Sequence, residues 1–267
     1  MHRLRIRDKS LTVAGLFSDC RKLRRVLLAL GRKRQINAYI DSHKVRKLQI
    51  GAGTGKISGW LATDINPISR DIMYLDATKK LPFSDGTFDY IFCEHMIEHI
   101  SWAEGLFMLK ECHRILKPGG VIRIATPDLS VLLQMYFKSK YTDTEQKYIK
   151  WITDTFVDGV NIYKPSFVVN TAFRSWGHTF LYDEDLLKIA MRDAGFRNIR
   201  RVSVGESTHA ALKGIERHGN VIERYGNVIE SDNLNKFETM VFEAMPQACN
   251  QSRRKPNLNK TRLVAVA

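Results

Sequence analysis

The 267-residue sequence is poor in the features that mark secreted and membrane proteins. Its four cysteines are scattered and form no CxxC pair, which argues against a disulfide framework or a cysteine zinc site. No run of about 18 apolar residues is present, so no membrane-spanning helix is predicted. The basic segment 1–9 is not followed by the apolar stretch of a signal peptide before Asp19. We therefore expect a globular protein of a reducing, cytoplasmic compartment.

Acidic residues are scarce at both ends of the chain. The net charge is +14, but residues 1–50 hold 14 Lys and Arg against 3 acids, and residues 248–267 hold 5 against none. Residues 51–247 hold 23 basic and 25 acidic residues. A nucleic-acid enzyme more often carries basic residues across its catalytic face, so a nucleic-acid partner is not favoured. The ends could still contact an anionic surface such as lipid headgroups or RNA.

The basic N-terminal part has a helical pattern. Apolar residues from Val13 to Leu30 recur at alternating spacings of three and four, and Gly31 is expected to end the helix. This helix either packs on the domain with a solvated basic face or makes a peripheral contact with an anionic membrane surface. The predicted organisation is a helical extension, a main domain and a disordered tail, at residues 1–44, 45–247 and 248–267.

Short strands alternate with helices over most of the main domain, which indicates a parallel sheet covered on both faces. The predicted strands are Lys47–Ile50, Trp60–Asp64, Ile72–Leu75, Phe88–Cys93, Val121–Ala125, Asn198–Val204 and Phe237–Glu243, the last two as an antiparallel pair. The predicted helices are Ala103–Leu116, Leu129–Phe137, Glu145–Phe156 and Asp183–Ala194. Lys117–Gly120 is predicted as a turn, and 129–180 as an insertion that could cover a pocket.

A tandem copy lies before the last predicted strand. Residues 216–222 read ERHGNVI and residues 223–229 read ERYGNVI. Two units are too few for a solenoid, so we interpret the copy as a duplicated loop or helical turn.

A glycine-rich loop follows the first predicted strand directly. A dinucleotide site needs the pattern G-x-G-x-x-G, but here the third glycine is Gly55 and the spacing fails. The pattern Gly51-x-Gly53-x-Gly55 instead suits a nucleoside without a pyrophosphate. The alternative is an ordinary glycine-rich turn.

Two acids end the next two predicted strands. Asp64 is placed to accept hydrogen bonds from both ribose hydroxyls, and Asp76 to accept one from an adenine amino group. Either acid alone could be a cap or a turn residue. Because ligands of open parallel sheets bind at the carboxyl ends of the strands, the ordered set of loop and acids favours a nucleoside site.

The motifs resemble those of class I S-adenosylmethionine-dependent methyltransferases. The resemblance covers roughly residues 45–130 and is carried by KLQIGAGTG, LATDI, MYLDATKKLPFSDGTFDYIFCEHMIEHI and ECHRILKPGGVIRIATPDL. The later FLYDEDLLKIAMRDAGF is similar to the family's helix before the final strand pair. The link GKISGWLATDI is similar to predicted methyltransferases of surface-polysaccharide biosynthesis.

This resemblance implies a fold, a cofactor and a set of binding residues. The fold would be α/β and Rossmann-like, with a seven-stranded, mostly parallel sheet, helices on both faces and an antiparallel final pair. The cofactor would be S-adenosyl-L-methionine, with ribose at Asp64, adenine at Asp76 and the methionine part at Glu94. The full set of implied cofactor-binding residues is Gly51, Ala52, Gly53, Asp64, Ile65, Asp76, Ala77 and Glu94.

Three histidines are candidates for removing a proton from the acceptor. His95 and His99 are four residues apart, so one helical face could present both, and His178 lies in the insertion. Each could instead have a structural role. The His95–His99 spacing also suits a metal ion, but no third ligand is evident and no metal site is predicted. Trp176 and Tyr182 could stack on an acceptor or pack in the core.

The sequence favours methylation of an oxygen atom on a sugar, a glycan or another small molecule. One alternative is an RNA methyltransferase that uses the basic ends, which predicts salt-dependent RNA binding. Another is an inactive binding or scaffold module. It is motivated by Gln49, since the family that the sequence resembles usually has an acid two residues before the first loop glycine, and by the short link from Gly55 to Asp64. The acceptor and the oligomeric state stay open.

Overall fold

A single seven-stranded sheet organises the fold in the computed structural model, which describes residues 24–217 and 231–247. The strand order is β3-β2-β1-β4-β5-β7-β6. The strands are β1 Lys47–Ile50, β2 Leu61–Asp64, β3 Met73–Tyr74, β4 Phe88–Glu94, β5 Leu116–Pro127, β6 Phe196–Val202 and β7 Thr239–Pro246.

The directions of the strands confirm the predicted fold class. Strand β1 pairs in parallel with β2 and β4, β2 with β3, and β4 with β5. Strand β7 runs antiparallel to both β5 and β6, so six strands share one direction. All seven predicted strands are present, and five of them both begin and end within two residues of the expected positions. The glycine loop and Asp64, which ends β2, thus lie at the same carboxyl edge of the sheet.

Helices connect and cover the strands. They comprise α1 (24–30), α2 Arg32–Ser42, α3 Trp102–Ile115, α4 Leu129–Phe137, α5 Asp143–Phe156, α6 Pro165–Arg174, α7 Glu184–Asp193 and α8 Ser231–Glu238, with 3-10 turns at Ile97–His99 and Ala210–Leu212. Gly31 separates α1 from α2. The rest of the predicted N-terminal helix, nearly all of the tandem copy and the basic tail lie outside the described residues. None of the described helices is long and apolar enough to cross a membrane.

The two faces of the sheet are covered differently. On one face, α3 and α7 bury apolar residues such as Leu109 and Leu187 against the strands. On the other face, Leu212 and Ile215 of the segment 203–217 pack on Phe92 of β4. Residues 52–60, all described, contain no helix, so the short link after the glycine loop is real.

The turn predicted between α3 and the fifth strand is wrong. Lys117–Gly120 is not a separate turn, because β5 begins at Leu116 and passes through these residues. The pairing with β4 is irregular there, since Phe88 opposes Leu116 while Tyr90 opposes Val121. The Pro-Gly-Gly sequence therefore forms an irregularity inside a strand, and the register of the pairing with β4 shifts across it.

Arg114 connects two of the sequence motifs, the LPF segment at residues 81–83 and the ECHRILKPGG segment to which Arg114 belongs. Its guanidinium donates to the carbonyl oxygens of Leu81 and Phe83 at 3.1 and 2.8 Å and to the carboxylate of Glu111. Glu111 also accepts from the backbone nitrogen of Leu81 at 2.7 Å. The LPF segment is thereby attached to α3, which fixes the loop that leads into β4.

The insertion after β5 forms a second core. Helices α4, α5 and α6 bury Tyr148 and Leu132 together with Leu181. A capping box starts α5, because the side chains of Thr142 and Glu145 each accept from the other's backbone nitrogen. Helix α6, which the sequence analysis did not predict, ends just before the loop that carries His178. The insertion therefore places this histidine beside the main sheet.

Candidate active site

The glycine loop turns tightly at the carboxyl end of β1. Gly51 and Gly53 have φ angles of 72° and 51°, a region that favours glycine. A Cβ atom on Gly51 would lie 2.6 Å from Cγ of Met96, so the loop packs directly against the segment after β4. A Cβ atom on Gly53 would meet no heavy atom of the described residues within 4 Å. The loop therefore offers open space over Gly53, while Ala52 is buried.

The side chain of Gln49 holds the glycine loop in place, since no helix follows this loop. Its buried side-chain amide donates to the carbonyl oxygen of Gly55 at 2.7 Å and accepts from the backbone nitrogen of Ile57 at 3.1 Å. A carboxylate at this position could accept but could not donate to the carbonyl. The departure from the family pattern at Gln49 thus fits the short link that follows it.

The two acids lie where the sequence places them, beside the loop and the third strand. The Asp64 carboxylate accepts from the backbone nitrogens of Gly53 at 2.9 Å and Asn66 at 2.7 Å. Asp76 uses Oδ1 to accept from the backbone and hydroxyl of Thr78. A carboxylate has about four acceptor positions, so both acids retain acceptor capacity for a bound nucleoside. Their hydrogen bonds fix the carboxylates in place.

The two residues that follow these acids differ in exposure. Ile65 is exposed, and Ala77 is buried in the main core. Open space over Gly53, two oriented carboxylates and an exposed apolar side chain together fit the ribose and adenine parts of S-adenosylmethionine. Ala77 can contribute only through its backbone or its packing.

Glu94, implied at the methionine end, has a partner that the sequence did not indicate. The backbone nitrogen of Arg217 donates to its two carboxylate oxygens at 2.9 and 3.1 Å. Cδ of Arg217 lies 3.9 Å from the position of a Cβ on Gly55. The part of the chain around Arg217 therefore lies against the glycine loop, and no local pattern connects residues so distant in the chain.

His95 lies between the buried Glu98 and the half-buried Thr239. It has a left-handed φ of 43°, its Nδ1 is 3.0 Å from Oε1 of Glu98, and its Nε2 is 3.1 Å from the hydroxyl of Thr239. Burial lowers the pKa of His95, but the hydrogen bond to Glu98 and nearby carboxylates raise the pKa by more. Burial raises the pKa of Glu98, and the bond and charge of His95 lower it by more. This geometry suits a residue that positions Glu98.

His99 and His178 come together although 79 positions separate them. Their ring centres are 5.0 Å apart. Nδ1 of His178 is 2.8 Å from the carbonyl oxygen of Ala172, so Nδ1 carries the proton and Nε2 the lone pair. Burial lowers the pKa of His178. The pair offers an imidazole nitrogen that can accept a proton.

The two aromatic candidates have different surroundings. Tyr182 is fully buried and packs on Trp102 and Phe180, which places it in the core. Trp176 is 38% exposed, and its ring is 5.4 Å from that of His178. Only Trp176 therefore presents a surface beside the histidines on which an acceptor could stack.

The comparison with protein families decides the class. Residues 48–124 match the family described as "Methyltransferase domain". These residues form a class I methyltransferase domain. The prediction of a methyltransferase that uses S-adenosylmethionine is confirmed. The matched residues include the glycine loop, Asp64, Asp76, His95 and His99. No curated protein matches the methyltransferase at a significant level.

Several solved structures are similar to this methyltransferase at low identity. A methyltransferase from Archaeoglobus fulgidus described as SAM-dependent is 18% identical over 88% of this chain and 100% of its own, with a TM-score of 0.42. A putative methyltransferase in complex with the Trm112 activator of Haloferax volcanii is 17% identical over 84% and 97%, with a TM-score of 0.40. An S-adenosylmethionine-dependent methyltransferase from Mesorhizobium loti is 14% identical over 75% and 90%, with a TM-score of 0.42.

Proposed function

We propose that this methyltransferase transfers the methyl group of S-adenosylmethionine to an oxygen atom of a sugar or another small-molecule acceptor. One observation carries the proposal: the segment Glu94–His99 borders the cofactor loop and the histidine pair at once. Its Met96 packs on Gly51, and its His99 lies beside His178. A cofactor held by the loop would thus be next to groups able to take up a proton.

The residues of the chain would divide the work between binding and proton removal. When bound, S-adenosylmethionine supplies a methyl group on a sulfonium, so the acceptor oxygen forms the C–O bond as the C–S bond breaks and sulfur keeps the electron pair. Asp64 would accept hydrogen bonds from the ribose, and Asp76 from adenine. The hydroxyl proton would pass to the His99–His178 pair and then to solvent.

The choice of a neutral acceptor is supported by charge and by surface. The central part of the chain has a net charge of −2 between residues 51 and 247, which does not favour a polyanionic acceptor. Trp176 supplies an exposed aromatic face, a common platform for a sugar. A role in glycan biosynthesis, a cytoplasmic location and a membrane contact of the basic N-terminus stay predictions from the sequence.

Binding of the cofactor is tested with Asp64→Ala. We expect calorimetric titration to show binding of S-adenosylmethionine and S-adenosylhomocysteine, and Asp64→Ala to weaken both by about 1–3 kcal/mol, the usual effect of losing a charged hydrogen-bond partner. Asp71→Ala is a matched control, because Asp71 is an exposed acid that pairs with Lys56 at the surface. Absence of binding to the wild-type chain would favour the scaffold interpretation instead.

Transfer is tested with His178→Ala and a panel of acceptors. We expect cofactor-dependent methylation of at least one sugar or small-molecule hydroxyl, and a fall in kcat of about 10²- to 10⁴-fold in His178→Ala with cofactor affinity unchanged. His43→Ala is the control: it removes the histidine that caps the C-terminus of α2, and it should retain the wild-type rate. Methylation of RNA alone, lost at high salt, would contradict the proposal.

A further inference from the structure

A third group completes the histidine pair. One ligand atom each of Glu98, His99 and His178 lies within 4.8 Å of the other two. Glu98 is fully buried, His178 is half-buried and His99 is exposed. The cluster therefore has a buried carboxylate on one side and an exposed imidazole on the other, and it lies where the turn after β4 meets the loop before α7.

The two segments that carry these ligands are hydrogen-bonded to each other. The carbonyl oxygen of Glu98 accepts from the backbone nitrogens of Thr179 at 2.7 Å and Phe180 at 3.1 Å. The hydroxyl of Thr179 donates to the carbonyl oxygen of His99 at 3.2 Å. These bonds involve the residues next to the ligands, so they hold the three side chains at a fixed separation before anything binds.

Groups behind the cluster orient its ligands. The Nδ1–H of His178 donates to a backbone carbonyl, which presents the lone pair of Nε2. Glu98 accepts from Nδ1 of His95 at 3.0 Å and from the hydroxyl of Thr126 at 3.0 Å, one on each carboxylate oxygen. Support of this kind behind histidine and carboxylate ligands is the usual arrangement in metal sites. Each oxygen of Glu98 retains a lone pair for a ligand.

The arrangement of the imidazole rings fits a shared ion. The planes of His99 and His178 are inclined by 74° and their centres are 5.0 Å apart. Two imidazoles on one tetrahedral ion, at metal–nitrogen distances of about 2.0–2.1 Å, place their ring centres about 5 Å apart. Small rotations of side chains would bring the three ligand atoms to coordinating distances.

We infer that Glu98, His99 and His178 bind a divalent transition-metal ion, with zinc as the ion that the donor set fits best. Two histidines and one glutamate are a ligand set of catalytic zinc sites, in which the fourth position stays open. The inference deepens the proposed function in one respect, and rests on it there. With an ion bound, the lone pairs of both histidines are occupied, so the ion would take their place in promoting loss of the proton, and an acceptor hydroxyl at the open position would release its proton to solvent more readily. Binding of the ion itself does not depend on that function.

The test measures uptake of zinc by the full chain without cofactor or acceptor. Chain stripped with a chelator is titrated with Zn²⁺ against a chromophoric competitor, and with Co²⁺ to record the d–d absorption of tetrahedral coordination. We expect one tightly bound equivalent in the wild type and in the control His43→Ala. His99→Ala and His178→Ala should each weaken binding by about 10- to 100-fold or more.

Comparison of these variants guards against zinc bound elsewhere, because the chain has eight histidines. Far-UV circular dichroism of each variant tests whether it is folded. Since His99 is exposed, His99→Ala is not expected to disturb the fold. No uptake of zinc by the wild type, or unchanged affinity in both variants, would overturn the inference. If the wild type binds no zinc but His178→Ala slows transfer, the proposed function is supported and the metal site is not. If the wild type binds zinc but methylates no acceptor, the metal site is supported and the proposed function is not.

Discussion

Replacement of Arg123 by Met is expected to lower the free energy of unfolding by about 3–5 kcal/mol, because it removes the buried positive charge that balances two buried acids. Arg123 on β5 is fully buried. Its Nη1 donates to Glu243 of β7 at 2.6 Å, and its Nε donates to Glu216. The side chains of these acids are only 2% and 6% exposed. Urea unfolding at neutral pH would measure the loss.

Arg200→Met is the matched control for this prediction. Arg200 also lies near Glu243, with 3.5 Å between Nη2 and Oε2, but its side chain is 52% exposed. An exposed ion pair contributes about 0–1 kcal/mol, so the control should remain close to the wild type. Equal effects of Arg123→Met and Arg200→Met would show that burial of the charge is not what determines its contribution.

The loss of Arg123 should also reach the cofactor site. Glu216 precedes Arg217, whose backbone contacts Glu94, and Glu216 also accepts from the backbone nitrogen of Gly205 at 3.0 Å. Arg123 therefore holds in place the part of the chain that lies against the glycine loop. An altered affinity for S-adenosylmethionine in folded Arg123→Met would be a consequence of this connection.

Replacement of Gly51 by Ala is expected to destabilise the fold by about 2–5 kcal/mol, from a left-handed backbone that disfavours a side chain and from overlap with Met96. The overlap involves Cβ and Cγ of Met96 at 2.7 and 2.6 Å, atoms close to the backbone that cannot rotate far away. Thermal or urea unfolding without cofactor would measure the change.

Gly53→Ala separates packing from cofactor binding. Gly53 also has a positive φ, but its Cβ would enter open space, so we expect a loss of only about 1–2 kcal/mol. Calorimetry should instead show weaker binding of S-adenosylmethionine, because the added methyl group occupies the space over the loop. A Gly53→Ala chain with unchanged cofactor affinity would contradict the place that we assign to the nucleoside.

Local patterns were sufficient to predict the sheet and the cofactor loop. Continuous apolar runs such as Val121–Ala125 and the glycine loop after β1 are signals carried by neighbouring residues, and the number of strands with the antiparallel final pair followed from the family resemblance. The Pro-Gly-Gly sequence misled because turn residues can also form an irregularity inside a paired strand. Helix α6 was missed because its apolar positions do not stand out from the surrounding loops.

The candidate site was less predictable, since its contacts join distant parts of the chain. The spacing of His95 and His99 suggested one shared face, but His95 lies against Glu98 and Thr239 while His99 meets His178. The third member of the cluster, Glu98, lies between the two histidines in sequence and gave no separate signal. The contact of Arg217 with Glu94 depends on how the segment after β6 folds back, which no local rule predicts.

The two outer strands of the sheet are poor templates for adding another strand. On one side, β3 has only two residues, so it offers few free backbone groups for pairing. On the other side, β6 carries Arg197, Arg200 and Arg201 and is irregular where Asn198 has a φ of 54°. Charged residues, irregular pairing and short length all oppose edge-to-edge aggregation. Copies of this protein at high concentration are thereby kept from joining their sheets into a continuous β-structure.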